Sequence, residues 1–309
     1  MGVILTDSQW TLNRSRKTMA KSSFVVSDAE LNDLLTKYTR DFTAQDREGR
    51  FDPISGREEE LDVITLILLQ RLRKNVMLLA PAGVGKTALF VGMAQRINQD
   101  RVPKMLKGAR LIELEMSMIG AGSSSRAELE GRLMPIIKGV AERNATQEQP
   151  PIIFCMDEIH QLMIAFKASS YSGIADLMKP YLTDGKLFVL GATTAEEYTD
   201  YVVQEPAIDR RFQKLTLEVP DHPTTELILQ NMKGNFEEHY GFKIPNEMIS
   251  HIVKLTDRYI RNRNNPDKSI IIMDQACAHA TMRGVTGALD EESIAVAIGA
   301  EANINASAV

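Results

Sequence analysis

Cysteine is scarce, a single tryptophan is present, and aromatic residues make up only 6% of the 309-residue chain. The two cysteines, Cys155 in an apolar run and Cys277 in a helix-patterned segment, do not make a disulfide framework. Both read as packed thiols in a reducing compartment, the cytoplasm. No apolar stretch reaches the roughly eighteen residues that argue for a membrane span, and the start lacks the apolar core of a signal peptide. Neither sign of charge dominates, since 36 Lys and Arg against 41 Asp and Glu leave a net charge of -5. That balance excludes the global basic field behind nonspecific nucleic-acid binding, so nucleic acid is not an expected partner. Internal repeats and low-complexity tracts are missing too. What remains is a chain 44% hydrophobic and 25% charged, long enough to bury the cores of two domains.

Phosphate chemistry is written into APAGVGKT at 80–87. An apolar run precedes it and a helix-patterned segment follows, which is the context a phosphate-binding loop requires. Gly83 and Gly85 let successive backbone N–H groups turn toward one anion, Lys86 supplies a point charge to the outer phosphates, and the Thr87 hydroxyl can ligate Mg²⁺. The residues assigned to nucleotide binding in this loop are Ala82, Gly83, Val84, Gly85, Lys86, Thr87 and Ala88. One position departs from GxxxxGK[ST], whose first glycine is Ala80 here. A second element follows Pro150 and Pro151, where the buried-strand run 152–156 delivers Asp157 and Glu158 at its carboxyl end. Open α/β sheets bind ligands at that edge. Asp157 suits the Mg²⁺ shell and Glu158 the attacking water, against the plainer reading of a helix cap. Thr193 and Thr194 end another strand, where a hydroxyl either touches a γ-phosphate or caps the next helix. Arg210 and Arg211 are either surface ion-pair partners or arginine fingers for a neighbour's nucleotide.

Apolar spacing at Leu61, Ile64, Leu68 and Leu72 predicts a helix over 57–74, with others over 87–97, 128–144 and 159–165. Pro135 should kink the third. Strands are predicted over 109–114, 187–191 and 215–219. Past Pro220 the strands stop, and helices fill 222–283 and 290–300. The result is an α/β fold, a parallel sheet sandwiched by helices, followed by a small C-terminal helical domain. The expected division is a mobile basic arm at 1–26, a helical linker segment at 27–50, a nucleotide-binding domain at 51–220, a helical lid at 221–304 and a tail at 305–309. The arm carries Arg14, Arg16, Lys17 and Lys21 against Asp7. Residues 1–6 also fit the N-myristoylation pattern, which its loosely specified positions let many sequences meet by chance.

Taken together, DPISGREEE, APAGVGKTA, FCMDEIH, GATTAEEY, DRRFQKL and NPDKSI resemble, in order and near-spacing, the first ATPase ring of the Clp-type AAA+ protein-remodelling ATPases. The similarity runs from about Lys37 to about Ile304. It implies an AAA+ P-loop fold that hydrolyses ATP with Mg²⁺. Lys86, Thr87 and Asp157 would hold phosphates and metal, Glu158 would be the general base, and Thr194 would sense the γ-phosphate. Arg210 and Arg211 would act on an adjacent protomer. Ile54, Ser55 and Gly56 fall where the family encloses adenine. A homo-oligomer, a hexameric ring, and a protein substrate or assembly partner are implied as well.

Departures from the family are as specific as the matches. Its aromatic pore loop, of the AGxKYRGEFEERL type, is AGSSSRAEL at 121–129, with serines in place of the lysine and tyrosine that grip polypeptide. Where the family has PDKAIDLIDEA, Ile271 replaces an aspartate, which should loosen coupling between lid and nucleotide. No coiled coil is inserted between Arg283 and Asp290, a trait that resembles ClpA more than ClpB. The chain stops near Val309, where a second ring would begin, and no substrate-binding domain precedes residue 27, so a fragment or a natural single-ring protein is expected. Three functions compete: a ring ATPase that remodels or assembles protein partners, a nucleotide-gated structural subunit of a secretion, conjugation or phage assembly, and a DNA-loading AAA+ protein. The first leads, and the last lacks a basic stripe.

Overall fold

The computed structural model describes residues 26–71, 73–122, 125–167, 180–182 and 184–309. The basic arm up to residue 25, the 1–6 pattern, Leu72, Ser123 and Ser124 lie outside the described residues. Six strands form one sheet: β1 (Arg40–Asp41), β2 (Asn75–Leu79), β3 (Arg110–Glu113), β4 (Ile152–Met156), β5 (Phe188–Thr193) and β6 (Phe212–Thr216), in spatial order β1-β3-β4-β5-β2-β6. Every neighbouring pair is parallel except β1 with β3. Strands β2 and β4 are buried at every residue. Only a sheet covered on both faces allows that, and it is why both are apolar throughout apart from Asn75.

Side-chain alternation divides the large domain into two cores. Met77, Leu79, Phe154 and Met156 point into the first, against Leu31 and Leu35 of α1 (Asp28–Tyr38). On the other face Val76, Leu78, Ile153 and Cys155 join Phe42 of α2 (Phe42–Arg47), Leu61 and Ile64 of α3 (Glu58–Leu68) and Leu89, Phe90 and Met93 of α4 (Lys86–Asn98). The short α5 (Met116–Gly120) leads to α6 (Arg126–Thr146), whose Leu133, Ile136 and Val140 enter the first core with Ile159 and Leu162 of α7 (Ile159–Lys167). Each such fully buried aliphatic side chain is worth about 1.5–3 kcal/mol relative to exposure. Burial also pushes the Cys155 thiol well above its usual range. The expected linker segment is thus part of the packing, and α1 lies so close to α6 that a Cβ on Gly139 would stand 2.9 Å from Leu31 Cδ1.

Beyond β5 come α8 (Ala195–Glu197), a π-turn at Tyr198–Val202 and α9 (Pro206–Asp209). Four further helices, α10 (His222–Tyr240), α11 (Asn246–Tyr259), α12 (Asp267–Met282) and α13 (Glu291–Ala302), enclose a third core of Leu229, Ile249, Ile252, Ile272, Cys277, Ile294 and Ile298. Burial there pushes the Cys277 thiol up to about 12, and both cysteines are free.

The structure corrects two sequence expectations. β6 occupies 212–216, not 215–219, because pairing with β2 sets its start, and Val219 is exposed. Helix α3 ends at Leu68, not residue 74. Helix α6 holds Pro135 in its interior, over the span where a helix was expected. A long-range tie also emerges at Asn144, 8% exposed. Its side chain donates to Ile152 O at 2.9 Å and Lys186 O at 3.2 Å, and accepts from Ile152 N at 2.9 Å. Asn144→Ala strands two buried backbone groups of Ile152 and a part-buried carbonyl of Lys186, so chemical denaturation should register a loss of about 2–4 kcal/mol. A loss under about 0.5 kcal/mol would contradict this accounting.

Candidate active site

The carboxyl ends of β2, β4 and β5 converge on one edge of the sheet, with the helical lid above it. There a cleft of about 500 Å³ is lined by Ile54, Ser55, Ala82, Gly83, Val84, Gly85, Lys86, Thr87, Ala88, Asp157 and Glu158, all predicted from sequence. Its volume is in the range of small-molecule sites. Gly83 has φ 78° and Gly85 φ 102°, left-handed conformations that favour glycine, and Gly85 is the N-cap of α4 with no side-chain cap. The first N–H groups of α4 are therefore left for an anion, on the positive end of the helix. Lys86 Nζ donates to the loop carbonyls of Ala80 at 2.8 Å and Pro81 at 3.1 Å.

Thr87 Oγ1 donates to Asp157 Oδ2 at 2.5 Å across seventy residues of sequence. A hydroxyl and a carboxylate this close fit a shared Mg²⁺. Among the described residues no group of three or more His, Cys, Asp or Glu side chains could hold a metal. Mg²⁺ takes few protein oxygens and completes its shell with water and phosphate, so Thr87 and Asp157 would be enough to hold it. Glu158 follows with φ 51°, a strained conformation costing roughly 1–2 kcal/mol that clusters at functional sites. Its Oε2 accepts from Gln161 Nε2 at 2.7 Å. Nearby, burial raises the Glu113 carboxyl above its ordinary range; Arg40 opposes the shift, and Glu115 and Asp157 reinforce it.

At the other end the cleft is apolar, walled by Ile54, Val91 and, from the lid, Ile228, Met232 and Ile270. A polar loop at one end and an apolar slot at the other match a nucleotide's phosphates and base. Ser55 Oγ is buried here without a partner. Ser55→Val should therefore raise stability by about 1 kcal/mol in thermal unfolding of the nucleotide-free chain; a lower Tm would mean the hydroxyl has a partner.

Other predicted residues stand apart from this cleft. Gly56, φ 71°, packs against the lid, where a Cβ would meet Thr224 Cγ2 at 3.0 Å. Thr194 does not line the cleft; its hydroxyl caps α8, accepting from Glu197 N at 3.2 Å and donating to Glu197 Oε2 at 2.9 Å. Arg210 and Arg211 lie between α9 and the edge strand β6, away from the cleft of their own chain. Ser125, in the position of the family's tyrosine, is the N-cap of α6 and accepts from Glu128 N at 3.3 Å. Ile271 is half-buried and does not line the cleft.

Sequence reasoning missed how the lid reaches the loop. Asn264 Nδ2 donates to Ala82 O at 3.0 Å, Asp267 N to Gly83 O at 3.4 Å, and a Cβ on Gly83 would stand 3.0 Å from Asp267 Cβ. Arg57 was missed as well. Its guanidinium donates to Val84 O at 2.9 Å, Glu218 O at 3.2 Å and Glu60 at 2.6 Å, tying loop, strand end and α3 together. Only the motif containing Arg57 marked it, since its contacts span the chain.

This fold and cleft define a P-loop ATPase domain with a helical lid. Residues 76–216 match the ATPase family associated with various cellular activities (AAA), and residues 221–306 match the AAA lid domain. The chaperone protein ClpB of Staphylococcus aureus (strain COL) is 37% identical over 264 residues, which cover 85% of this chain and 30% of that protein. The chloroplastic ClpB3 of Arabidopsis thaliana is 38% identical over 263 residues, covering 85% and 27%. A closed-state structure of Hsp104 with ATPγS and FITC casein superposes with TM-score 0.79 at 33% identity, covering 87% of this chain and 45% of that one. The Saccharomyces cerevisiae Hsp104-ADP complex gives 0.77 at 33%, covering 86% and 45%. The chain is a Clp-type AAA+ ATPase module. It spans about a third of the length of these curated relatives. The connection from Met282 to Glu291 is short, with no inserted coiled coil.

Proposed function

We propose that this module works in a homo-oligomeric ring, a hexamer, where ATP hydrolysis moves the lid against the large domain and remodels protein partners. The observation that carries this reading is the pair of lid-to-loop hydrogen bonds at Asn264 and Asp267, through which a change at the phosphate loop reaches the lid directly. Mg²⁺ bound by Thr87 and Asp157 supplies charge neutralisation at the phosphates. Lys86 holds the outer phosphates, Glu158 takes the proton of the attacking water, Thr194 meets the γ-phosphate, and Arg210 and Arg211 reach the neighbour's nucleotide. Ile54, Ser55 and Gly56 border the base. Cytoplasm is the proposed compartment, in keeping with two buried reduced thiols; among the described residues no helix is long and apolar enough to cross a membrane. A purely structural subunit is not favoured, because the relatives above are chaperones.

Nucleotide titration and phosphate release with and without an unfolded polypeptide test the proposal. Lys86→Ala should weaken ATP binding by about 100-fold or more, since a charge-assisted contact to phosphate is lost. Casein should stimulate wild-type turnover. Turnover indifferent to any unfolded chain would leave an ATPase and remove the remodelling role.

A further inference from the structure

Glu158 and Thr194 stand at the ends of different strands, and buried polar side chains that no step above uses run between them. His160 is 7% exposed. Its Nδ1 lies 3.0 Å from Thr193 Oγ1 and 3.2 Å from Glu197 Oε2, and its Nε2 lies 3.9 Å from Glu158 Oε2. The same Glu197 oxygen accepts from Thr193 Oγ1 at 2.9 Å, from Thr194 N at 3.0 Å and from Thr194 Oγ1 at 2.9 Å. Burial opposes charge on Glu197, but hydrogen bonds from Thr194 and Thr193, with His160 nearby, outweigh it and hold the carboxyl below its ordinary range. An anionic Glu197 therefore draws the Nδ1 side of the ring toward itself, which leaves Nε2 facing Glu158. The ring of Tyr201, its centroid 6.0 Å away, flanks the imidazole.

We propose that His160 is a positioning residue that links the Thr194 hydroxyl, through Glu197, to the carboxylate of Glu158. The group that reads the γ-phosphate thereby also sets the aim of the general base. The proposal rests on the roles given to Glu158 and Thr194 above. The Thr194 hydroxyl has one proton, which goes to Glu197 in this structure. A γ-phosphate oxygen competes for that proton, and Glu197 then leans harder on His160 and shifts its Nε2 relative to Glu158. Networks of this kind reveal themselves as non-additive substitutions.

Two measurements test the link on the full chain. With ring-labelled histidine, ATPγS should shift the His160 signals, assigned through His160→Gln, in the wild type. In Thr194→Ala and Glu197→Gln the nucleotide should still bind while those signals stay put. In turnover, His160→Ala should lower kcat about 10- to 100-fold, the usual effect of removing a supporting partner, with the Kd for ATPγS within about twofold. The pair His160→Ala and Thr194→Ala should fall no further than the worse single variant, and His160→Gln should recover part of the rate. Unmoved His160 signals in nucleotide-bound wild type, multiplying kcat effects, or parallel losses of kcat, affinity and Tm would overturn the link and leave the ATPase reading standing. A wild-type chain that binds no nucleotide would overturn both.

Discussion

Glu158→Gln is expected to cut ATP hydrolysis by about 10²- to 10⁴-fold while nucleotide binding stays intact, the span associated with losing a general base. The substitution is close to isosteric. The amide oxygen can still accept from Gln161, which holds Oε2 at 2.7 Å, and nothing in the change disturbs the φ of 51° that turns the residue. What disappears is the ability to take a proton. Removing a negative charge next to Asp157 should favour the nucleotide's phosphates. Phosphate release and nucleotide titration on the same sample separate the two effects. A variant keeping more than a tenth of the wild-type rate would take the base role away from Glu158.

A loss of about 10³ to 10⁵ in assembled protein is expected when Arg210 and Arg211 are replaced by alanine, the scale set by arginine fingers. Tyr198 and Lys214 both engage the preceding Asp209, anchoring it to its own chain. Arg210 is exposed, and Arg211 has a buried Nε without a partner. Among the described residues no ion pair holds either guanidinium. Their place beside an edge strand and away from their own cleft is why they are expected to serve a neighbour's nucleotide. Mixing decides the matter: the arginine variant and Glu158→Gln are each inactive alone, yet in mixed rings an intact base meets an intact finger across an interface, and turnover should return. Mixtures that stay dead would assign the arginines to their own chain's stability.

Local features were legible where chemistry or periodicity is local. Residues 80–87 and Asp157 with Glu158 declared themselves because a phosphate loop and a strand-end acid pair need fixed spacings and strand context. The helical pattern at 27–50 was readable, although its opening capping box of Ser27 and Glu30 went unread. β1 was not, because a charged pair of residues, Arg40 and Asp41, becomes a strand only by lying antiparallel to Glu113 and Ile112. The displacement of β6 has the same origin. Leu215, Leu217 and Val219 alternate as a strand should, but Arg73 donating to Phe212 O and the register with β2 fix where pairing starts. His160 sat inside a motif that was read for its two acids, and its partners Thr193 and Glu197 lie more than thirty residues on. Lid contacts through Asn264 are more distant still, bridging 182 residues. No window of sequence contains such a pair.

Anyone wishing to give this module a grip on polypeptide would graft a tyrosine at 125, and the cap on α6 makes that graft a bad bargain. Ser125 Oγ is the acceptor that greets the first turn of a 21-residue helix, so an aromatic ring there unseats the helix start by about 1 kcal/mol while adding its hook. A workable redesign would slide the anchoring oxygen one step upstream, or lengthen the loop, before asking this site to hold cargo.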